Sequence, residues 1–264
     1  GTHIVDKIVE ALSENYKVKF DAGMNVLNSA HYGVPQMRKR VIIIGVKKGI
    51  DIEPEEMYAG IIKTHYDPEM PEEERDGLSK YVTVKDAIGE LPHLRPGEGE
   101  AEVAFSFRRD NAFLKKISPP DNQILRDHVA RRHNARDMER YAAMSANHWT
   151  FQELLCNRPD LGHEKPRVFG NSYAVQWWDL PSKTIIAHLY KDGNQFIHPD
   201  SSQARTFTVR EAARIQSFPD DFVFEGPRTE QYKQIGNAVP PLLAEAIAKC
   251  MKEKLDGLEA CNDI

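Results

Sequence analysis

The stretch YGVPQMRKRVIIIGV, residues 32–46, constrains the fold more than any other, because alternating polar residues run directly into an aliphatic block. In an extended chain alternate side chains share a face, so Gln36, Arg38 and Arg40 are expected to point the same way. Residues 41–44 are all aliphatic, which predicts a buried strand ending at a pocket or a sheet edge. Two guanidinium groups there are costly unless acceptors meet them. The pattern therefore indicates either arginines paired with carboxylates or a donor array for a carbonyl oxygen, a carboxylate or a phosphate.

The composition of the 264-residue chain is that of a globular protein, with 41% hydrophobic and 28% charged residues. This length predicts one large lobe or two modest ones. No aliphatic run approaches the roughly 18 residues that a membrane span needs. The three cysteines, Cys156, Cys250 and Cys261, have unrelated spacings that suggest neither a disulfide framework nor a zinc site. We therefore expect no bound metal and a reducing, cytoplasmic location.

Charged residues are segregated along the chain, although the formal net charge is only −5. Residues 51–76 contain ten acidic and two basic side chains, whereas residues 108–140 contain nine basic and five acidic ones. Such segregation is compatible with a basic face that meets phosphates while an acidic flank stays in solvent. It is equally compatible with ordinary solvated surface, so charge alone leaves nucleic-acid binding open.

The first part of the chain has the clearer periodicity. Apolar residues at helical spacing predict an amphipathic helix over residues 4–12, and YKVKF at 16–20 alternates as a strand does. A loop over residues 28–35 leads to the strand at 41–44. The middle of the chain is rich in loops, with helical character over residues 137–155.

Regular patterns return in the last third of the chain. Short strands separated by turns are expected over residues 168–200, where KDGN at 191–194 signals a hairpin. Thr208 and Glu211 are spaced as a capping box, which predicts a helix that Pro219 would end. A final helix with one apolar face is predicted to start at the Pro-Pro pair of QIGNAVPP, residues 234–241.

The segment QIGNAVPP has two interpretations of its own. Gly236 allows an unusual backbone turn, and Asn237 tolerates one. A loop that leads into a helix N-terminus can present backbone N–H groups to a ligand. The simpler interpretation is the start of a helix with no ligand.

Three segments together resemble the last three conserved blocks of DNA (cytosine-5) methyltransferases: AHYGVPQMRKRVIIIG, RTFTVREAARIQSFPDDFVFEG and QYKQIGNAVPP. They occur in the order of that family, and a long variable region separates the first from the second. The resemblance implies an α/β fold, in which a partial Rossmann-like class I methyltransferase lobe is joined to a mixed, loop-rich target-recognition domain. It implies S-adenosylmethionine as the cofactor and double-stranded DNA as the partner, with the target cytosine flipped out of the duplex.

The resemblance also assigns roles to individual residues. Gln36, Arg38 and Arg40 match a block that lines the cytosine pocket, and the last arginine lies near the cytosine O2. Charge develops on O2 as a cysteine thiolate adds to C6, which is the physical reason for an arginine there. Asn237 and Ala238 match residues that border the cofactor pocket. The block around Thr208 organises the recognition domain, so its two arginines, Arg210 and Arg214, are expected to form structural salt bridges.

Other blocks of the family pattern are absent from the sequence. It contains no Pro-Cys dipeptide, no Glu-Asn-Val block and no Phe-x-Gly-x-Gly cofactor loop. We therefore expect this chain to be the C-terminal half of a methyltransferase, to be inactive alone and to need the N-terminal half as a partner. Residues 1–49 and 234–264 would belong to the catalytic lobe and residues 50–233 to the recognition domain. Without the other half, apolar side chains are expected to be exposed, namely Ile43, Leu243 and Ile247.

Contacts with DNA are harder to assign, because recognition loops vary freely. The candidates are five basic or hydroxyl-bearing residues: Arg131, Arg132, Ser182, Lys183 and Thr184. A stand-alone DNA-binding or regulatory module without catalysis is the alternative. The length of the middle region disfavours an RNA methyltransferase. A metal-dependent nuclease using His128, His133 and His148 is also disfavoured, because the spacing of the first two does not place them on one helix face.

Overall fold

Short strands and irregular segments connect the helices of this protein. The computed structural model describes residues 2–162 and 172–262. The helices in these ranges are α1 Thr2–Leu12, α2 Ala22–Asn25, α3 Pro54–Ala59, α4 Val84–Ile88, α5 Ala112–Ile117, α6 Ala135–Asn147, α7 Phe151–Asn157, α8 Val209–Ile215, α9 Arg228–Asn237 and α10 Pro241–Asn262. Four 3-10 helices lie at Ser29–Tyr32, Glu72–Glu74, Pro159–Leu161 and Ala187–Tyr190. The predicted helix over residues 4–12 and the predicted final helix are confirmed.

The strands pair two by two. They are β1 Tyr16–Val18, β2 Val26–Asn28, β3 Gln36–Met37, β4 Lys39–Val41, β5 Gly45–Lys47, β6 His65–Tyr66, β7 Ser79–Lys80, β8 Gly99–Ala104, β9 Ile124–Val129 and β10 Ser182–Lys183. Antiparallel pairs form between β1 and β5, β2 and β4, and β8 and β9, and parallel pairs between β3 and β10 and β6 and β7. The fold of the described residues is therefore mixed α/β with short strands.

The predicted buried strand over residues 41–44 is wrong. β4 ends at Val41, which is 47% exposed, and Ile44 is the buried residue of the four. The Ile42 N–H donates to the backbone carbonyl of Asn25 at 2.8 Å, and side chains bond to the Ile42 carbonyl and to the Ile44 N–H. The Tyr58 hydroxyl donates to the Ile42 carbonyl at 2.9 Å and accepts from the Ile44 N–H at 2.8 Å, and the Asn25 amide also donates to the Ile42 carbonyl at 3.2 Å.

The KDGN hairpin is also wrong, because residues 191–194 do not join two paired strands. Gly193 has a φ of +76°, and a Cβ there would lie 2.8 Å from the Thr206 hydroxyl. The nearby backbone forms single bridges, with Ile197 pairing to Val175 on one side and to Thr206 on the other. Residues 168–171 of the stretch expected to form strands lie outside the described ranges.

Buried apolar side chains form three clusters. The first joins α4, α5, α8 and α9, and the third lies around α6 and α7. The second packs β2 and α3 against α10. Leu243 of α10 is fully buried in that second cluster, so the prediction that it would be exposed is wrong; Ile43 and Ile247 are half-buried.

The second cluster brings the two ends of the chain together, because it contains Leu27 as well as Leu243 and Cys250. It also includes Ile52 and Ile61, which follow the expected boundary at residue 49. The division into a catalytic lobe and a recognition domain remains a prediction. Within the described residues, none of the helices combines the length and the apolar character required to cross a bilayer.

Candidate functional site

Gln36 is a fully buried amide at the junction of three segments. Its Oε1 accepts from the Ile185 N–H at 2.8 Å. Its Nε2 donates to the Ile215 carbonyl at 3.3 Å and to Oε1 of Gln216. Because all of its polar atoms are used in this way, the Gln36 side chain anchors β3 and has no free group for a ligand.

Arg38 is a buried cation whose hydrogen-bond partners are carbonyl groups. Nη1 donates to the Ile185 carbonyl at 2.6 Å, and Nη2 donates at 3.1 Å to the carbonyls of both Gly236 and Ala238. Its Nε has no acceptor among the described residues. Burial, together with the nearby charge of Arg40, lowers the pKa of Arg38 to about 10. This guanidinium therefore ties β3 and β4 to the end of α9.

Arg40 is exposed and does not share the buried face of Gln36 and Arg38, which corrects the expectation that all three point the same way. The strand is interrupted at Arg38, because β3 pairs with β10 whereas β4 pairs with β2. Arg40 Nη1 donates to the Lys39 carbonyl at 2.7 Å. No salt bridge involves Arg40 in the described ranges, so most of its donors face outward.

Asn237 ends α9 and Ala238 follows it, beside this network. The side chain of Asn237 is exposed, whereas the Ala238 carbonyl accepts from both Arg38 and Gln216. Gly236 is helical, and the expected unusual turn is not the reason for a glycine. A Cβ at Gly236 would lie 2.4 Å from the Ala187 nitrogen, so the close approach of another backbone segment requires glycine.

Exposed apolar side chains flank these polar groups. Met37 precedes Arg38 in β3, Val41 follows Arg40 in β4, Ile186 follows Ile185, and Val239 follows Ala238; they are 36%, 47%, 36% and 54% exposed. We call these four residues with Arg40 and Asn237 the 37–41/239 surface, because they lie near Arg38 in sequence or adjoin the residues that Arg38 joins. Its exposed guanidinium and amide are groups that can bind the polar edge of a planar ligand.

Arg131 was expected to contact DNA, but its guanidinium is buried. It donates to the Tyr190 carbonyl at 3.3 Å and the Lys191 carbonyl at 3.1 Å, and also to the Leu189 carbonyl. It lies 4.3 Å from the centroid of the Tyr232 ring, in a cation–π contact. Arg131 therefore holds the 187–190 helix against α9.

Arg132, in contrast, is exposed and stays a candidate for phosphate contact. Lys183 is also exposed, and it lies opposite Met37 in the β3–β10 pair, next to the 37–41/239 surface. Both keep their charged groups accessible, which the buried Arg131 does not.

The hydroxyl groups of Ser182 and Thr184 have structural partners. Ser182 is buried and donates at 3.0 Å to the side-chain oxygen of Gln176, and Thr184 donates at 2.6 Å to the Met37 carbonyl. The Ser182 bond joins β10 to the segment at Gln176, and the Thr184 bond joins the residue after β10 to β3, so neither hydroxyl donor is free for the phosphate contact expected of it.

The structural roles expected of Arg210 and Arg214 are confirmed. Arg214 is fully buried between two carboxylates, with Nε 2.8 Å from Asp220 and Nη2 2.8 Å from Glu90. Arg210 lies 3.6 Å from Asp127 and donates to three backbone carbonyls: Arg126, Pro219 and Phe222. The capping box of Thr208 and Glu211 is also present.

Among the described residues, the histidines and cysteines do not assemble into a second chemical centre. His128 is buried between Thr208 and the Pro92 carbonyl, and no group of three or more metal-binding side chains occurs in the part of the chain that the structure describes. Cys250 is buried with its thiol 3.1 Å from the Met57 carbonyl, and burial raises the pKa of Cys250. Cys156 is exposed in α7, and the side chain of Cys261 lies outside the described residues.

Gln216 is the residue that sequence reasoning missed. Its amide connects Gln36 to the turn at Ala238, and it is fully buried. No local signal marks it, because Gln36 precedes it by 180 positions and a glutamine after a helix is usually a surface residue.

Comparisons with known proteins show which family the chain resembles. The model of the family described as C-5 cytosine-specific DNA methylase matches residues 2–253. The chain is 38% identical over 244 residues to type II methyltransferase M.Bpa9945I of Bacillus paralicheniformis, an alignment covering 88% of this chain and 51% of that protein. It is 32% identical over 275 residues to type II methyltransferase M.DdeI of Desulfomicrobium norvegicum, covering 99% of this chain and 60% of that one.

A solved structure is similar as well. It is provisionally described as a DNA modification methyltransferase encoded within an E. coli prophage, and it matches with a TM-score of 0.64 and 25% identity. The match covers 96% of this chain and 65% of that one. This chain thus spans between half and two thirds of the length of these three proteins. With a family model matched over nearly its whole length, the chain belongs to the C-5 cytosine-specific DNA methylase family.

Proposed function

We propose that this chain is part of a DNA (cytosine-5) methyltransferase, which acts on a cytosine flipped out of duplex DNA. Residues 1–49 and 234–264 then contribute to a Rossmann-like class I lobe, and residues 50–233 form the target-recognition domain. The observation that carries the proposal is the position of Arg40. It is exposed beside two buried anchors, Gln36 and Arg38, within a sequence that the family model matches throughout.

Arg40 is the proposed donor to the target base. Its guanidinium faces outward on β4, whereas Nη1 and Nη2 of the neighbouring Arg38 donate to backbone carbonyls. Charge that develops on the cytosine O2 would be stabilised by such a donor, by about 2–4 kcal/mol in sites of comparable design. Gln36 and Arg38 then position the strand, and Arg40 contacts the base.

Asn237 and Ala238 are the proposed wall for S-adenosylmethionine. The fit rests on chemistry that the turn offers: an exposed amide on Asn237 beside the exposed aliphatic side chain of Val239. The Ala238 carbonyl is already used by two donors, so Ala238 shapes the wall without bonding to the cofactor. When bound, S-adenosylmethionine supplies the methyl group.

Double-stranded DNA is the proposed macromolecular partner, with Lys183 and Arg132 as phosphate contacts. Both are exposed, and Lys183 adjoins the 37–41/239 surface through the β3–β10 pair. Contacts of this kind position the duplex without reading its sequence.

The nucleophile is proposed to come from the N-terminal half of the methyltransferase. These 264 residues contain no Pro-Cys dipeptide, and the buried Cys250 is inaccessible to a base. The 37–41/239 surface would meet that half, because its apolar side chains are exposed next to the pocket residues. Specific interfaces of this kind bury on the order of 1,500 Å², although area alone does not set affinity.

The experiment that tests the proposal compares Arg40→Ala with Lys39→Ala in the complete methyltransferase. Lys39 is a matched control, since it is the preceding exposed cation of β4. Single-turnover methyl transfer should fall roughly a hundredfold or more for Arg40→Ala and little for Lys39→Ala. Equal losses from the two variants would show that Arg40 is not the residue that contacts the base.

A further inference from the structure

The residues that follow α8 hold the turn between α9 and α10 at both of its ends. Gln216 donates through Nε2 to the Ile235 carbonyl at 3.0 Å and to the Ala238 carbonyl at 2.9 Å. The hydroxyl of Ser217 accepts from the Leu242 N–H at 3.2 Å. Residues 236–241, which include the proposed cofactor wall, are thus fastened on either side by two consecutive residues.

The orientation of the Gln216 amide is fixed by its partners. Carbonyl oxygens only accept, so the nitrogen must face Ile235 and Ala238, and the oxygen must face the Gln36 amide. Gln36 is oriented in the same way, because its Oε1 accepts from the Ile185 N–H and its Nε2 donates to Gln216. The two glutamines form a buried chain of hydrogen bonds from β3 to the turn.

The backbone conformation of Ser217 helps to place both side chains at the turn. It has a φ of +64°, a left-handed conformation that residues other than glycine rarely adopt. That conformation lets α8 end early, at Ile215, so that both side chains reach the turn before Pro219. The buried surroundings leave no water to replace a lost partner, since Gln216 and Ser217 are 0% and 1% exposed.

We propose that Gln216 is a positioning residue for the cofactor site, held in its own orientation by Gln36. The inference rests on the proposed function, because it takes Asn237 and Ala238 as the cofactor wall. Removing the Gln216 amide leaves the Ala238 carbonyl with Arg38 as its remaining donor, and removes the side-chain bond to the Ile235 carbonyl. Arg38 still holds Gly236 and Ala238, so Asn237 is less firmly positioned, and cofactor binding weakens while the donors of Arg40 stay in place.

The test uses the complete methyltransferase with Gln216→Met, compared with Gln203→Met. Gln203 is a matched control, because it is also buried and bonded, to the Leu94 N–H and to Arg205, but away from the turn. We expect the KM for S-adenosylmethionine to rise about tenfold in Gln216→Met, with little change in kcat or in the KM for DNA. Gln203→Met should lower the melting temperature and leave both KM values unchanged.

An unchanged KM for S-adenosylmethionine in Gln216→Met overturns the inference, as does an equal rise in Gln203→Met. If Gln216→Met does not fold, Ser217→Ala replaces it, since that change removes one hydroxyl at the other end of the turn. It should raise the same KM by a smaller factor, and no rise would also overturn the inference. Absence of methyl transfer by the unmodified enzyme would overturn the proposed function and this inference with it.

Discussion

Arg38 has no carboxylate partner among the described residues, and its positive charge is balanced by backbone carbonyls alone. The carbonyls belong to Ile185, Gly236 and Ala238, which lie on two separate segments. A buried cation that is met by several acceptors organises its surroundings, because each acceptor would be costly to leave unpaired. Arg38 therefore acts through structure, whereas the adjacent Arg40 is free to act on a ligand.

Arg38→Ala should destabilise the chain much more than Arg40→Ala. Removing the guanidinium leaves three carbonyls to share fewer donors in a buried place, at a cost of about 2–4 kcal/mol. Arg40 is exposed, so its replacement should change stability by less than about 0.5 kcal/mol. Urea denaturation of the two variants measures both values. Similar losses of stability would contradict the separation of their roles.

Lys183→Ala should weaken binding to every duplex by a similar factor. One phosphate contact fewer should reduce the slope of log K against log salt by about one unit. Fluorescence anisotropy at several salt concentrations measures that slope, and Lys47→Ala, an exposed lysine of β5, serves as the control. A loss of affinity restricted to one DNA sequence would mean that Lys183 contacts bases instead.

At the scale of an element, α8 shows what could be predicted from sequence and what could not. Thr208 and Glu211 predicted the start of α8 correctly, because a capping box is a local sequence pattern. The complete burial of the helix was not predictable from that pattern. The partners that neutralise Arg214 include Glu90, more than a hundred positions earlier in the chain. Charged residues in a helix normally indicate a face exposed to solvent. Arg214 is buried instead because carboxylates outside α8, one of them distant in the sequence, pair with it.

The predicted strand over residues 41–44, directly after Arg40, was wrong for a related reason. Four aliphatic residues predict a strand only if another strand supplies the hydrogen bonds. Here the Asn25 backbone carbonyl accepts from the Ile42 N–H, and the Tyr58 hydroxyl and the Asn25 amide donate to the Ile42 carbonyl, from elements that local periodicity does not connect to Ile42. In the candidate site, the identity of Gln36, Arg38 and Arg40 came from a resemblance. Their different burial came from the break between β3 and β4, which the sequence does not mark.

The packing around α8 predicts a dependence of stability on pH. Burial lowers the pKa of His198, which lies 3.6 Å from Glu211, to about 3, although that carboxylate acts in the opposite direction. Burial and the charge of Arg131 lower the pKa of His133 to about 4. Each histidine is neutral in the fold and takes up a proton on unfolding below its ordinary pKa of about 6.5. The free energy of unfolding should therefore fall as the pH drops from 7 towards 4.

Urea midpoints at pH 7, 6 and 5 (about one unit apart, across the titration range of free histidine) measure this effect. His198→Gln should give a shallower decline than the unmodified chain, because one titrating group is removed. His93→Gln is the control, since His93 is hydrogen-bonded to Ser202 at an exposed position. A free energy of unfolding that stays constant from pH 7 to 5 would contradict the neutral, buried state of His198.

At the scale of the whole molecule, the two ends of the chain pack into one cluster. α10 lies against β2 and α3, and the buried Leu243 and Cys250 lie among residues from the first quarter of the chain. The resemblance predicted that these ends belong together, whereas periodicity alone did not. Four of the apolar residues that remain exposed, Met37, Val41, Ile186 and Val239, belong to the 37–41/239 surface together with Arg40 and Asn237. That is the place where the N-terminal half is proposed to bind.

The most direct measurement of the central claim is incorporation of tritiated methyl groups from S-adenosylmethionine into duplex DNA. It would compare this chain, the separately produced N-terminal half of the methyltransferase, and a mixture of the two. We expect incorporation by the mixture alone, lost on Arg40→Ala and kept on Lys39→Ala. A mixture that binds DNA without incorporation would favour a DNA-binding or regulatory module. Incorporation by this chain alone would contradict the account, because its sequence has no Pro-Cys nucleophile.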